Sequence, residues 1–213
     1  MHLVMFDIDG TLLNSSGFED ECYLNAIRKV IHHPVNEDWS TYTNATDSGI
    51  LDEIIEKNGL GSNRREIHSE VKRFFIDNIK SHLLITEVKE IKGASSFMDL
   101  LRQRDDVALA IATGGWEETA RMKLEAAGID YSGIAFASCE DHFSRTGIMK
   151  QAEARCPGSG YTSKTYFGDA AWDKKASRDL NFNFILVGDR INHPKQIRDF
   201  THSGNILDLI GLC

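Results

Sequence analysis

The chain has 213 residues, of which 41% are hydrophobic and 26% are charged, and its formal net charge is −8 at pH 7. This length and composition are typical of one globular domain, with or without a modest insertion, and exclude disordered, collagen-like and low-complexity proteins. The acidic surface repels phosphate backbones, so we expect no nucleic-acid partner, although a small phosphate ester could bind in a locally positive pocket. No apolar run approaches the ~20 residues of a membrane helix, so we expect no membrane partner.

The first predicted element is a buried β-strand over residues 2–9, where the apolar residues are nearly continuous. An Asp-Gly-Thr turn ends this strand. Residues 17–91 then carry apolar side chains at three- and four-residue spacing, which predicts amphipathic helices and no strand. We therefore predict that a helical cap domain, residues 15–91, is inserted after the first strand.

Strands and helices alternate in the rest of the chain. The predicted strands are VALAIATGG, GIAFASCED, SKTYFGD and FNFILVGD, and an amphipathic segment separates each from the next. This alternation is typical of a parallel sheet with helices on its faces. The sequence therefore predicts an α/β fold, with a Rossmann-like parallel sheet core formed by residues 1–14 and 92–213.

Acidic residues, a threonine and a glycine lie at or just beyond the ends of the predicted strands, at the sheet edge where open α/β folds bind ligands. These residues are Asp7, Asp9, Thr113, Gly114, Asp169 and Asp173. Four carboxylates that converge without a cation would repel one another. Because Mg²⁺ prefers carboxylate and carbonyl oxygens, the four acids predict a magnesium site.

A phosphate site is predicted beside this metal site. The Thr113 hydroxyl and the Gly114 N–H lie where a helix is predicted to begin near Trp116, and such helix starts bind anions. Arg145 and Lys150 lie around the start of a later helix and are the candidates to balance phosphoryl charge. An ordinary turn and a solvated helix face remain the alternative interpretations of these residues.

Three segments, in chain order, resemble motifs of the haloacid dehalogenase-like (HAD) hydrolases. DIDGTLL at residues 7–13 is similar to their first motif, ATG at 112–114 to their second, and GDAAWD at 168–173 to their fourth. The helical insertion resembles their C1-type cap, and TDSGIL at 46–51 resembles a segment of phosphoglycolate phosphatase-like caps. The third motif commonly carries a lysine, and here either Arg145 or Lys150 would take that role.

The resemblance implies a Mg²⁺-dependent phosphatase that hydrolyses a small organic phosphate monoester through an aspartyl-phosphate intermediate. Asp7 would be the nucleophile, and Asp9 the general acid and later the general base. The ion would be held by the Asp7 carboxylate, the Asp9 backbone carbonyl and Asp169, with Asp173 orienting the set. Thr113 and Gly114 would hold phosphoryl oxygens.

Two other functions remain open. A sugar-phosphate mutase shares the first motif and the cap, and a non-enzymatic HAD-like module would bind a partner through the cap. A dehalogenase that attacks carbon is disfavoured, because such an enzyme does not need Asp9. We further expect a cytoplasmic protein, since the cysteine spacing suggests no disulfide framework and no signal peptide is evident. A monomer or a weak dimer is the default expectation for its oligomeric state.

Overall fold

The computed structural model describes residues 1–158 and 160–212. Within these residues, parallel strands form one sheet. The strands are β1 (His2–Phe6), β2 (Val107–Ala112), β3 (Ala135–Ala137), β4 (Ser163–Gly168), β5 (Asn183–Val187) and β6 (Gln196–Ile197). Their order in the sheet is β3-β2-β1-β4-β5-β6. The predicted α/β class with a Rossmann-like parallel sheet is therefore confirmed.

Eight helices of the described residues accompany the sheet. They are α1 (Ser16–Val30), α2 (Asp47–Lys57), α3 (Arg64–Ile85), α4 (Ala94–Arg102), α5 (Glu117–Ala126), α6 (Arg145–Arg155), α7 (Ala171–Asp179) and α8 (Ser203–Ile210). Two short 3₁₀ turns, Trp39–Thr41 and Gly61–Asn63, flank α2. None of these helices combines the length and the apolar character needed to cross a membrane.

Three details differ from the predicted elements. β1 ends at Phe6 rather than at Asp9, so both aspartates lie in the turn beyond the strand. The two-residue β6 and the last helix, α8, were not predicted. Two residues are too few to show an alternating pattern, which explains why β6 escaped prediction.

The sheet register aligns the strand ends. Phe6, the last residue of β1, pairs with Ile111 of β2 and with Phe167 of β4. The residues that follow β1, β2 and β4 therefore leave the sheet at the same edge. One face of the sheet is covered by an aromatic cluster in which the Phe6 and Phe167 rings stack at 5.0 Å, with Phe97 and Phe200 packed against them.

Helices α1, α2 and α3 occupy the chain between β1 and α4. The segment begins and ends at one place, because Leu13 and Glu90 form an isolated antiparallel bridge. The Asn14 N–H donates to the Lys89 carbonyl at 2.9 Å beside it. The Tyr23 ring packs edge-on against Trp116 at 5.8 Å, so this helical block rests on the residue that precedes α5.

Candidate active site

A cavity of about 70 Å³, partly open to solvent, lies at the carboxyl ends of β1, β2 and β4. Six of the predicted site residues line it, namely Asp7, Asp9, Thr113, Gly114, Arg145 and Asp169. The helical block supplies the opposite wall, with Glu19, Asp20, Tyr23, Trp39 and Asp47 among its residues. Asp173 is completely buried and lies next to the lining residues through its contact with Arg145. The structure therefore brings seven of the eight predicted site residues to one place.

Asp7, Asp169 and Asp173 form a compact carboxylate cluster. One oxygen of each lies within 4.8 Å of the others, and all three residues are buried. Burial, together with the charges of the neighbouring acids, raises the pKa of Asp7 well above its usual range and that of Asp173 to about 6. A divalent cation would relieve this repulsion, and three convergent carboxylates are the donor set that Mg²⁺ prefers. The cluster therefore fits the predicted ion.

Two glycines allow this close approach. Gly10 has φ +79°, a left-handed conformation, and a Cβ at this position would collide with the Asp169 carboxylate. A Cβ on Gly168 would lie 2.6 Å from the Asp173 Cβ. Asp173 is fixed in the first turn of α7, where its Oδ2 accepts a hydrogen bond from the Ala170 N–H at 3.1 Å.

Arg145, the first residue of α6, connects the carboxylate cluster to the helical block. Its Nη1 lies 3.0 Å from Asp7 Oδ1 and 3.1 Å from Asp173 Oδ1, and its Nε donates to the Ala45 carbonyl at 3.1 Å. The guanidinium fits because residue 114 is glycine, since a Cβ there would lie 2.7 Å from Arg145 Nη2. Arg145 is therefore the cation nearest to the predicted nucleophile in the described chain.

Lys150, the alternative cation, lies elsewhere. It is exposed, and it is not among the residues that line the cavity. Five residues along an α-helix correspond to a rotation of about 140°, so α6 cannot present both Arg145 and Lys150 to one site. The structure therefore places Arg145, and not Lys150, beside Asp7, and the position of Lys150 does not support the phosphate-binding role predicted for it.

At the predicted anion site before α5, the threonine lies where we expected it, but the first N–H groups of the helix are already hydrogen-bonded. Thr113 is buried at the cavity, and its Oγ1 accepts a hydrogen bond from the Gly115 N–H at 3.1 Å. The N–H groups of Trp116 and Glu117, however, donate to the carboxylates of Asp47 and Glu140. Acidic side chains thus already satisfy the first donors of α5, as they commonly do at helix starts.

The Asp9 side chain lies outside the carboxylate cluster. Its Oδ1 and Oδ2 lie 2.6 and 2.7 Å from Lys123 Nζ, and Ser15 donates its hydroxyl to Oδ1. Burial acts to raise the pKa of Asp9, but the Lys123 ammonium and these hydrogen bonds hold it below its ordinary value. Three of the four carboxylates that we predicted to converge do so. The fourth, that of Asp9, does not, because a buried lysine that we did not predict binds it.

Other residues of the cavity wall also escaped prediction. Arg190 Nη1 lies 3.0 Å from Asp169 Oδ2, and Trp172 Nε1 is buried without a hydrogen-bond partner among the described residues. Trp39 donates its Nε1–H to Asp20 Oδ1 at 3.0 Å. These residues belong to no spacing pattern, and only the fold brings them to the strand ends.

The family model for haloacid dehalogenase-like hydrolases matches residues 4–187. The chain belongs to this family. It is therefore a HAD hydrolase, as the three motifs suggested. No curated protein matches the chain.

Solved structures share its fold. A hydrolase from Pseudomonas syringae has a TM-score of 0.78 at 19% identity, over 99% of both chains. CbbY from Rhodobacter sphaeroides, in complex with phosphate, has a TM-score of 0.71 at 13% identity, over 95% of this chain and 96% of its own. A putative phosphoglycolate phosphatase from Lactobacillus plantarum has a TM-score of 0.60 at 19% identity, over 97% and 98%.

Proposed function

We propose that this HAD hydrolase is a Mg²⁺-dependent phosphatase that acts on a small organic phosphate monoester. The observation that carries the proposal is the cluster of Asp7, Asp169 and Asp173 at the cavity, with Arg145 bonded to two of the three. Two proteins of similar fold add support. CbbY was crystallised with phosphate, and YfnB from Bacillus subtilis, with a TM-score of 0.57, was crystallised with magnesium.

The metal would be held by the carboxylates of Asp7 and Asp169, with the Asp9 backbone carbonyl as a further ligand. Asp173, which is buried behind them, would orient the set. When bound, the ion would neutralise charge on the phosphoryl oxygens, the main requirement of phosphoryl transfer.

In the first step, an oxygen of the Asp7 carboxylate would attack phosphorus. The bond from phosphorus to the ester oxygen breaks, and its electron pair stays on that oxygen. Asp9, which must first take up a proton because its pKa lies below its ordinary value, supplies the proton that yields the free alcohol. In the second step, a water oxygen attacks phosphorus and the water passes a proton to Asp9. The bond from phosphorus to the Asp7 oxygen breaks, its electron pair returns to the Asp7 carboxylate, and inorganic phosphate is released. Thr113 and the Gly114 N–H would hold the phosphoryl oxygens in both steps.

The helical block, residues 15–91, would act as the cap over this site. Its residues Asp20, Trp39 and Asp47 line the cavity wall opposite the sheet edge. The organic part of the ester would therefore contact this wall. Closure of the wall over the substrate would exclude bulk water from the first step.

The direct test is phosphate release from p-nitrophenyl phosphate with and without Mg²⁺. We expect release only with the ion, and we expect D7N to abolish it, because an amide cannot form the phosphoenzyme. D105N is the matched control, since Asp105 is exposed and outside the cavity. Full activity of D7N would refute the proposed nucleophile. Isomerisation of a sugar phosphate without phosphate release would instead indicate the mutase.

A further inference from the structure

Lys123 of α5 is a buried cation with no role in the steps of the proposed mechanism. Its side chain is 0% exposed, and its Nζ contacts both oxygens of Asp9 as well as the carboxylate of Glu19. A buried ammonium is costly unless it is paired with anions. The position of this lysine therefore depends on these two acids, and theirs depends on the lysine.

The two partners of Lys123 come from different parts of the chain. Asp9 follows β1, whereas Glu19 lies in the first turn of α1. Ser15, which immediately precedes α1, donates its hydroxyl to Asp9 Oδ1. The proposed proton donor is thus bonded to α5 and, through Ser15 and the shared lysine, to the start of the helical block.

These contacts leave the two oxygens of Asp9 in different surroundings. Oδ1 accepts hydrogen bonds from both the Ser15 hydroxyl and Lys123 Nζ, whereas Oδ2 accepts one from Lys123 Nζ. Asp9 also lines the cavity. The carboxyl group is therefore anchored mainly through Oδ1, and Oδ2 is the oxygen with spare capacity for a ligand.

We propose that Lys123 is a positioning residue that holds the Asp9 carboxyl group so that Oδ2 faces the ester oxygen, with Glu19 as its second anchor. This inference rests on the proposed phosphatase function and adds to it a residue outside the motifs. Proton transfer requires the donor within hydrogen-bond reach of the leaving oxygen, so a side chain that is already fixed needs no ordering in the transition state.

The leaving group of the substrate provides the test. An alkyl phosphate needs a proton on its ester oxygen, because an alkoxide leaves poorly, whereas p-nitrophenolate leaves without one. Because kcat/KM covers the steps up to departure of the leaving group, it reports on the proton donor and not on the later attack of water. If Asp9 is no longer held in position, kcat/KM should therefore fall more for alkyl phosphates than for p-nitrophenyl phosphate.

The experiment measures kcat/KM at one pH, with Mg²⁺, for p-nitrophenyl phosphate and for propyl phosphate. For K123M we expect a loss of about 100-fold or more on propyl phosphate and of less than about tenfold on p-nitrophenyl phosphate, the range that general acid catalysis contributes. E19Q keeps Lys123 and a side chain of the same shape as Glu19. Its loss of kcat/KM should therefore be smaller, and should again be greater for propyl phosphate than for p-nitrophenyl phosphate. E19Q should also destabilise the fold less than K123M does.

The control is R121M, which removes a cation from the same helix at a partly exposed position bonded to Glu117. It should change neither substrate's kcat/KM. Equal losses on both substrates in K123M and E19Q, or no loss on propyl phosphate, would overturn the inference while leaving the phosphatase intact. A wild-type protein that releases phosphate from neither substrate would overturn the proposed function and this inference with it.

Discussion

At the scale of single residues, Arg145 has an unusual set of partners. One guanidinium contacts Asp7, Asp173 and the Ala45 carbonyl, and so joins the predicted nucleophile, the fourth motif and the helical block. Arginine presents planar, forked donors, whereas lysine presents a compact point charge. The departure from the family's usual lysine therefore gives this chain contacts that a lysine could not make together.

We expect R145M to lower kcat/KM for p-nitrophenyl phosphate by about 100-fold, because it removes a donor aimed at the transferring group. R145K should lose less, since it keeps the charge but not the fork. Steady-state kinetics with Mg²⁺ checks both. K150M is the matched control, and a larger loss in K150M than in R145M would reverse our assignment of the third-motif cation.

Asp47 gives a pH-dependent prediction. Burial raises the pKa of its carboxyl group to about 7, although Lys123 and the Trp116 N–H act to lower it. The folded state thus holds a proton on Asp47 that the unfolded chain releases near pH 4, so this contribution to stability declines as pH rises from about 4 to 7. D47N removes that dependence and keeps an acceptor for the Trp116 N–H.

We therefore expect the melting temperature of D47N, minus that of the wild type, to increase between about pH 4 and pH 7 and then level off. Each pKa unit corresponds to about 1.4 kcal/mol of unfolding free energy. Thermal denaturation in EDTA at several pH values measures this difference. A difference that is constant with pH would show that Asp47 titrates alike in both states.

At the scale of elements, the aromatic contacts between α1 and α3 hold the proposed cap together. Tyr23 of α1 packs edge-on against Phe75 of α3 at 5.5 Å, and Phe75 is completely buried. The neighbouring Phe74 is only partly buried and lies under the Arg73 guanidinium at 4.0 Å. Two adjacent phenylalanines on one helix thus have very different environments.

We expect F75A to lower the free energy of unfolding by about 3–5 kcal/mol, because it leaves a cavity among packed rings. F74A should cost far less, since its ring is only partly buried. Urea denaturation of both variants makes the comparison. Equal losses would mean that the packing around Phe75 collapses to fill the space.

The longer elements could be predicted from the sequence, because a parallel sheet and amphipathic helices leave a clear hydrophobic pattern. A helix was predicted to start around Arg145, and α6 begins at that residue. Lys123 could not be predicted, because it lies in a helix with other charged residues and nothing local shows that it is buried. Its role depends on Asp9, 114 residues earlier in the chain, and only the fold brings the two together.

At the scale of the whole molecule, three acidic side chains are buried together beside the cavity. Asp7, Asp169 and Asp173 are buried together although the chain as a whole carries a formal charge of −8. A cation that binds the folded state alone stabilises it by mass action. The family's metal would therefore contribute to stability as well as to chemistry.

We expect millimolar Mg²⁺ to raise the melting temperature, with about 1.4 kcal/mol of added stability for each tenfold increase of the ion above its dissociation constant. D169N should lose this response because it removes a ligand, whereas D105N should keep it. Differential scanning calorimetry in Mg²⁺ and in EDTA measures the response without any substrate. A full response in D169N would contradict the proposed ligand set.

The bridge between Leu13 and Glu90 places the two ends of the helical insertion on neighbouring lengths of chain. Any polypeptide whose termini lie about 5 Å apart, the spacing of paired strands, could be joined there without disturbing the sheet. Apart from Ser15 and Glu19, which contact Asp9 and Lys123, the insertion could therefore be exchanged without changing the residues at the sheet edge. A chimera that carries another member's helices at this junction but keeps these two residues should adopt the donor's substrate preference while it keeps this chain's reaction.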